Sequence, residues 1–234
     1  MICGKQLYNK IYSIIKDNKK CNYHPIKIKP ISYTELKNDI QALYDNEDIK
    51  VNFGATNNLQ FKIKLVSDKK YFGAFWDKEL YDEYEKNTLV ICANQIKTID
   101  EYWYTLIHEV YPGHGYFFEM VKQNNTAFDT GANMLIEGYA TYCEISSIES
   151  NYAVYLRQHY KMIISKLLNN KISTLSNAQK YLFNQQIGYL ESYYFGAFLI
   201  EYLIDKHFKS PLKLLQFLSK NTKGEMFKLW LKDI

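Results

Sequence analysis

Hydrophobic positions along the chain change period twice. Residues 5–18 carry Leu7, Ile11, Ile14 and Ile15 at helical spacing. After a stretch bounded by Pro25 and Pro30, Ser32 and Glu35 have the Ser-x-x-Glu spacing of a capping box, which predicts a second helix running through Ala42 and Leu43. Beyond Lys50 the period shortens to two: Phe61, Ile63 and Leu65 alternate with Lys62 and Lys64, as in a strand with one face in a core. Residues 71–76 and 88–93 are two further strand candidates. From Thr98 the helical period returns, opened by a Thr98/Glu101 box and continued by an apolar stripe of Trp103, Leu106, Ile107 and Val110. Further helices are predicted over residues 131–149, 151–170, 176–185, 187–208 and 211–219, the last with Pro211 at a first helical position after Ser210. The pattern predicts an α+β fold, mostly α, with a small N-terminal sheet packed on a helical body. It reads as a single domain over 1–234, with N-terminal helices to 48, the sheet in 49–96 and the helical body in 97–234.

Composition supports one core and narrows the partners. At 234 residues and 47% apolar, the chain is long enough to bury a sizeable interior. The 29 basic and 25 acidic side chains are dispersed, and Arg157 is the sole arginine. Recognition of bases or phosphates leans on arginine and on clustered charge, so no nucleic-acid partner is expected. The four cysteines have no paired metal spacing and read as reduced thiols. Without a signal-peptide pattern or an apolar run of membrane-spanning length, the expected location is cytoplasmic, with no membrane partner.

Chemistry concentrates in residues 105–120. His108 and His114 are two of only five histidines, Glu109 adjoins the first, and Pro112-Gly113 lies between them. A catalytic zinc site takes three nitrogen or oxygen ligands and leaves a position for water, with a carboxylate nearby as base. Six residues apart on an unbroken helix, the two histidines would point about 120° away from each other at 3.6 residues per turn. Pro112 cannot donate to the carbonyl of His108 and Gly113 tolerates unusual backbone angles. The helix must therefore kink or bulge at 111–113, and a bulge that absorbs the two extra residues would return His114 to the face of His108. The third ligand is sought in residues 134–144, where Glu137 stands in an apolar stretch beside Gly138 and Ala140, small enough for close helix approach. Glu144, seven residues on, is placed to accept a hydrogen bond from the far nitrogen of a ligand histidine. His24, His159 and His207 read as structural, and Gly73 and Ala74 as a close backbone contact. Strand 88–93, ending at Asn94, is a candidate edge for pairing an extended peptide, with an ordinary sheet strand as the equal alternative.

The runs His-Glu-Val-Tyr-Pro-Gly-His (108–114) and Glu-Gly-Tyr-Ala-Thr-Tyr-Cys-Glu (137–144) resemble the bacterial domain-of-unknown-function 885 family. Its members are zinc-peptidase-like proteins of gluzincin type with His-Glu-x-x-Pro-Gly-His and Glu-Gly-Trp-Ala-x-Tyr-x-Glu motifs. The resemblance implies a zincin-like body, Zn²⁺ on His108, His114 and Glu137, and Glu109 as general base. A third segment, with Gly188, Ser192, Tyr193 and Gly196, is similar to the family's Gly-Gln-Ala-x-Ser-Tyr-x-x-Gly and makes Tyr193 the candidate oxyanion donor. Here Gly115 stands where the family has another His, Tyr139 where it has Trp, and Tyr189 where it has Gln. The family's Asp-x-Gly-x-His segment has no clear counterpart in residues 160–175. The implied function is zinc-dependent hydrolysis of a peptide or protein substrate. The alternative is a catalytically inactive, metal-containing peptide-binding or structural domain.

Overall fold

A computed structural model describes residues 23–56, 60–67, 70, 72–76, 87–124, 133–171 and 189–220, without the side chains of 133–134, 165–171 and 189–192. The helices expected over 5–18 and 176–185 lie outside these residues, as do Gly188 and the side chain of Ser192. The described elements are α1 (Tyr33–Asp45), α2 (Glu47–Phe53), β1 (Lys62–Val66), β2 (Gly73–Trp76), β3 (Thr88–Cys92), α3 (Ile99–Glu109), α4 (His114–Gln123), α5 (Asn133–Ser146), α6 (Asn151–Lys171), α7 (Tyr189–Leu203), a π-helical turn (Ile204–Phe208) and α8 (Pro211–Leu218). The fold is α+β and mostly helical, with a three-stranded sheet.

Both expected capping boxes form. Ser32 accepts from the N–H of Glu35 at the start of α1, and Thr98 accepts from that of Glu101 at the start of α3. Ser210 caps α8, with Pro211 in its first turn. α2 begins at Glu47 and so crosses the boundary expected between helices and sheet at 48/49. Its N-cap, Asn46, accepts from the N–H of Ile49, which was not foreseen from the short apolar pattern.

The sheet order is β1-β3-β2, parallel between β1 and β3 and antiparallel between β3 and β2. β1 keeps Lys62 and Lys64 exposed and turns Ile63 and Leu65 inward, as its alternation requires. All five residues of β3 are buried, which suits a strand covered on both faces and flanked on both sides. The expectation that strand 88–93 offers an edge is therefore wrong: β3 is the central strand, and β2 is paired on one side only among the described residues. Asn94, just past β3, is exposed and its amide donates to the carbonyl of Ser67. The edge-strand reason for assigning it to substrate no longer applies.

The core runs from α1 through β3 and α3 to α8. Every residue from 104 to 117 is buried, so the histidine segment lies within the core. α7 is buried at each position from Phe195 to Ile200, as expected of a helix that is apolar all round and enclosed by neighbours. It crosses α5 with almost no side chain between the backbones: a Cβ on Gly138 would lie 2.4 Å from the carbonyl carbon of Gly196. Cys92 and Cys143 are buried free thiols, and burial pushes the Cys143 thiol well up. No helix among the described residues is long and apolar enough to cross a membrane.

Candidate metal centre

α3 ends at Glu109 and a separate helix begins at His114, so the expected kink or bulge takes the form of a complete break between two helices. Pro112 brings no N–H to continue the ladder, and the Tyr111–Pro112 peptide is cis. The chain folds back tightly on the end of α3: Gly113 N–H donates to Ile107 O at 3.0 Å, and Tyr116 N–H donates to Val110 O at 3.0 Å. Only glycine fits at 113, because a Cβ there would lie 1.8 Å from the carbonyl oxygen of His108. The ring of Tyr111 is fully buried behind the turn, edge-on to Tyr44 of α1 and Tyr116 of α4, and its hydroxyl donates to the carbonyl of Gly54. The break achieves the convergence expected of a bulge. The His108 and His114 rings stand 4.7 Å apart and nearly perpendicular.

Glu137, on α5, meets both of them. Its Oε2 is 3.0 Å from His114 Nε2 and 3.4 Å from His108 Nε2. These three side chains form a group that can hold a metal ion, with one ligand atom from each lying within 4.8 Å of the others. Around zinc, tetrahedral donors about 2.1 Å from the ion lie roughly 3.4 Å from one another, and Glu137 Oε2 stands at close to that separation from both imidazole nitrogens. The donor set of two imidazoles and a carboxylate also fits a catalytic zinc.

On the far side of the ring, His108 Nδ1 lies 2.5 Å from Glu144 Oε1. A carboxylate only accepts, so this contact assigns the Nδ1 proton to His108 and leaves Nε2 facing Glu137. The Nε2 atoms of His108 and His114 then both face Glu137 Oε2, an arrangement that an imidazole N–H donated to the carboxylate, or a cation shared by all three, would hold together. Burial works against a charged His108, but Glu137 and Glu144 outweigh it and hold its pKa well above the ordinary range. Burial pushes Glu137 up, but the two histidines outweigh it and hold its carboxyl well below the usual carboxylate range.

Glu109 is buried beside the cluster. Burial raises its pKa, opposed by His108 and His114. Its Oε2 accepts from the backbone N–H of Phe75 at 2.9 Å. β2 comes this close because Gly73 has no side chain: a Cβ there would press on Thr105, Ile91 and Glu109. The expected close backbone contact at Gly73 is thus present, and it is made against the general-base candidate.

Tyr193 stacks on the ring of His108, with centroids 5.7 Å apart and planes 13° from parallel. Three further tyrosines of the second and third motif segments are engaged elsewhere. Tyr139 is fully buried against Phe117, Tyr142 is buried, and Tyr194 stacks on Tyr160. Sequence reasoning missed Phe118, which stacks on His114 at 6.0 Å; its i+4 spacing from that histidine was the available signal. It also missed Phe75, whose contribution is a backbone N–H and has no side-chain signature, and Tyr160, whose hydroxyl donates to Glu144 Oε2 at 2.7 Å. His24 is exposed, contrary to the structural role expected of it, while His159 and His207 are half-buried.

No family model, curated protein or solved structure matches the chain. The functional reading therefore rests on the motifs and on the geometry they adopt.

Proposed function

We propose that this protein is a zinc-dependent peptidase of the kind its two motifs resemble. The observation that carries the proposal is the convergence of His108 Nε2, His114 Nε2 and Glu137 Oε2 beside the buried carboxyl of Glu109. These three side chains would hold the ion. A divalent cation bound there supplies Lewis acidity, lowering the pKa of water and drawing electron density from a carbonyl.

The chain's own groups supply the proton transfers. Glu109 takes the proton from the attacking water and hands it to the departing amine. Its raised pKa brings it closer to neutrality, where a general base that must also act as an acid works best. The Phe75 N–H holds one of its oxygens and leaves the other for the proton. Tyr193, against the face of His108, is the candidate donor to the developing oxyanion. An extended peptide would lie along the side of β2 that no described strand pairs, where the Phe75 amide meets Glu109.

The test is elemental analysis of protein purified without chelator, together with digestion of a diverse peptide library. One zinc per chain with cleavage is expected. Glu109→Gln should retain the metal and lose about 10²- to 10⁴-fold in rate, since an amide oxygen still accepts from Phe75 but takes no proton. Equal activity in that variant removes Glu109 from the mechanism. Stoichiometric zinc with no turnover in the wild type marks the alternative, a metal-containing peptide-binding or structural domain.

A further inference from the structure

His108 is held by more than Glu144. The carboxylate of Glu144 has two oxygens, each engaged by a different helix: Oε1 faces His108 Nδ1 of α3 at 2.5 Å, and Oε2 accepts from the Tyr160 hydroxyl of α6 at 2.7 Å. Tyr160 is buried, and its ring stacks on Tyr194 with centroids 4.2 Å apart. The preceding residue of α7, Tyr193, lies nearly parallel to the His108 ring with centroids 5.7 Å apart. The contacts close a circuit from His108 through Glu144, Tyr160 and the Tyr194–Tyr193 pair back to His108, drawing on α3, α5, α6 and α7.

We propose that Tyr160 is a positioning residue for metal binding: by fixing the Glu144 carboxylate it sets the tautomer and ring orientation of His108, so that Nε2 points at Glu137 and His114. The physical reason lies in the freedom of a glutamate side chain. With Oε2 held, the carboxylate plane is fixed and Oε1 stays on Nδ1. Without the hydroxyl, Oε2 of the half-buried Glu144 loses its donor and the carboxylate is free to turn toward another donor or toward water. Hydrogen bonds to the far nitrogen of a ligand histidine decide which nitrogen carries the proton and how well the other binds. The inference rests on the metal reading above, and its test separates the two.

Tyr160→Phe removes the hydroxyl and keeps the ring that stacks on Tyr194. Tyr102→Phe is the matched control, because Tyr102 is likewise buried and donates to a carboxylate, Asp39, at 2.8 Å, away from the site. Each protein is stripped with chelator and titrated with Zn²⁺ against a chromophoric competitor. Tyr160→Phe should weaken zinc binding by about tenfold or more, and Tyr102→Phe should leave it unchanged. In a Glu144→Gln background, Tyr160→Phe should add no further loss. Unaltered affinity in Tyr160→Phe, or a loss that simply adds to that of Glu144→Gln, overturns the proposal. If the wild type takes up no zinc, the metal reading fails, and imidazole nitrogen NMR of the metal-free protein then judges the relay by itself. A His108 tautomer shifted in Tyr160→Phe supports it, and an unchanged one overturns it.

Discussion

The two walls of the candidate site are built on opposite plans. One is a single stretch, 108–114, in which two candidate ligand histidines and the candidate base come from seven consecutive residues and a backbone break brings them together. The other is assembled from three helices: α5 brings Glu137 and Glu144, α6 brings Tyr160, and α7 lays Tyr193 on His108. A contiguous wall keeps its geometry through local hydrogen bonds and the fit of Gly113. An assembled wall keeps it only while the helices stay in register, which is why Gly138 and Gly196 meet backbone to backbone. The two candidate histidine ligands and the candidate base sit on the first wall, and the groups that contact them come from the second.

Substitutions on the assembled wall and at the far end of α3 test that division. The largest effect is expected at Tyr193. If its phenol donates to the oxyanion, Tyr193→Phe lowers kcat by about 10²-fold with zinc content unchanged. An unchanged kcat would leave Tyr193 as the packing partner of His108 and nothing more. Next comes Gly138→Ala. Its new Cβ would meet the backbone of Gly196, which has no rotamer to give, so α5 and α7 must separate. A loss of about 1–3 kcal/mol in urea unfolding is expected, accompanied by weaker zinc binding because Glu137 moves with α5. Wild-type stability and affinity together would show that the crossing does not align the site. The smallest effect is expected from Thr98→Ala, which removes the N-cap of α3 and should lower stability by about 1 kcal/mol. The cap lies roughly 15 Å along the helix from His108 at 1.5 Å per residue, so zinc affinity should not change. A parallel fall in affinity would mean that α3 transmits strain along its length.

Much of this was legible in the linear chain, for reasons that differ by element. The capping boxes at Ser32 and Thr98 form because a side chain and a backbone three residues away need nothing else. The alternation in β1 and the unbroken apolar run of β3 likewise map onto burial directly. Which strand lay at the edge was not legible, because a buried central strand and a candidate peptide-binding edge present the same short apolar run. Pairing, a long-range property, made β3 central and left β2 beside Glu109.

The sequence by itself determined which side chains can carry the chemistry. Histidine, glutamate, proline and glycine at 108–114 have properties that no context alters: Pro112 cannot donate, Gly113 alone accepts the close approach of the His108 carbonyl, and imidazoles bind metals. Tertiary structure decided whether those side chains meet. The helix stops altogether where a kink or bulge was expected. Glu144 finds one partner 36 residues before it and another 16 after it. Glu109 is held by a strand 34 residues earlier. Hydrogen bonds and helix crossings of this kind depend on distances through space, and no spacing along a chain specifies them until the core has packed.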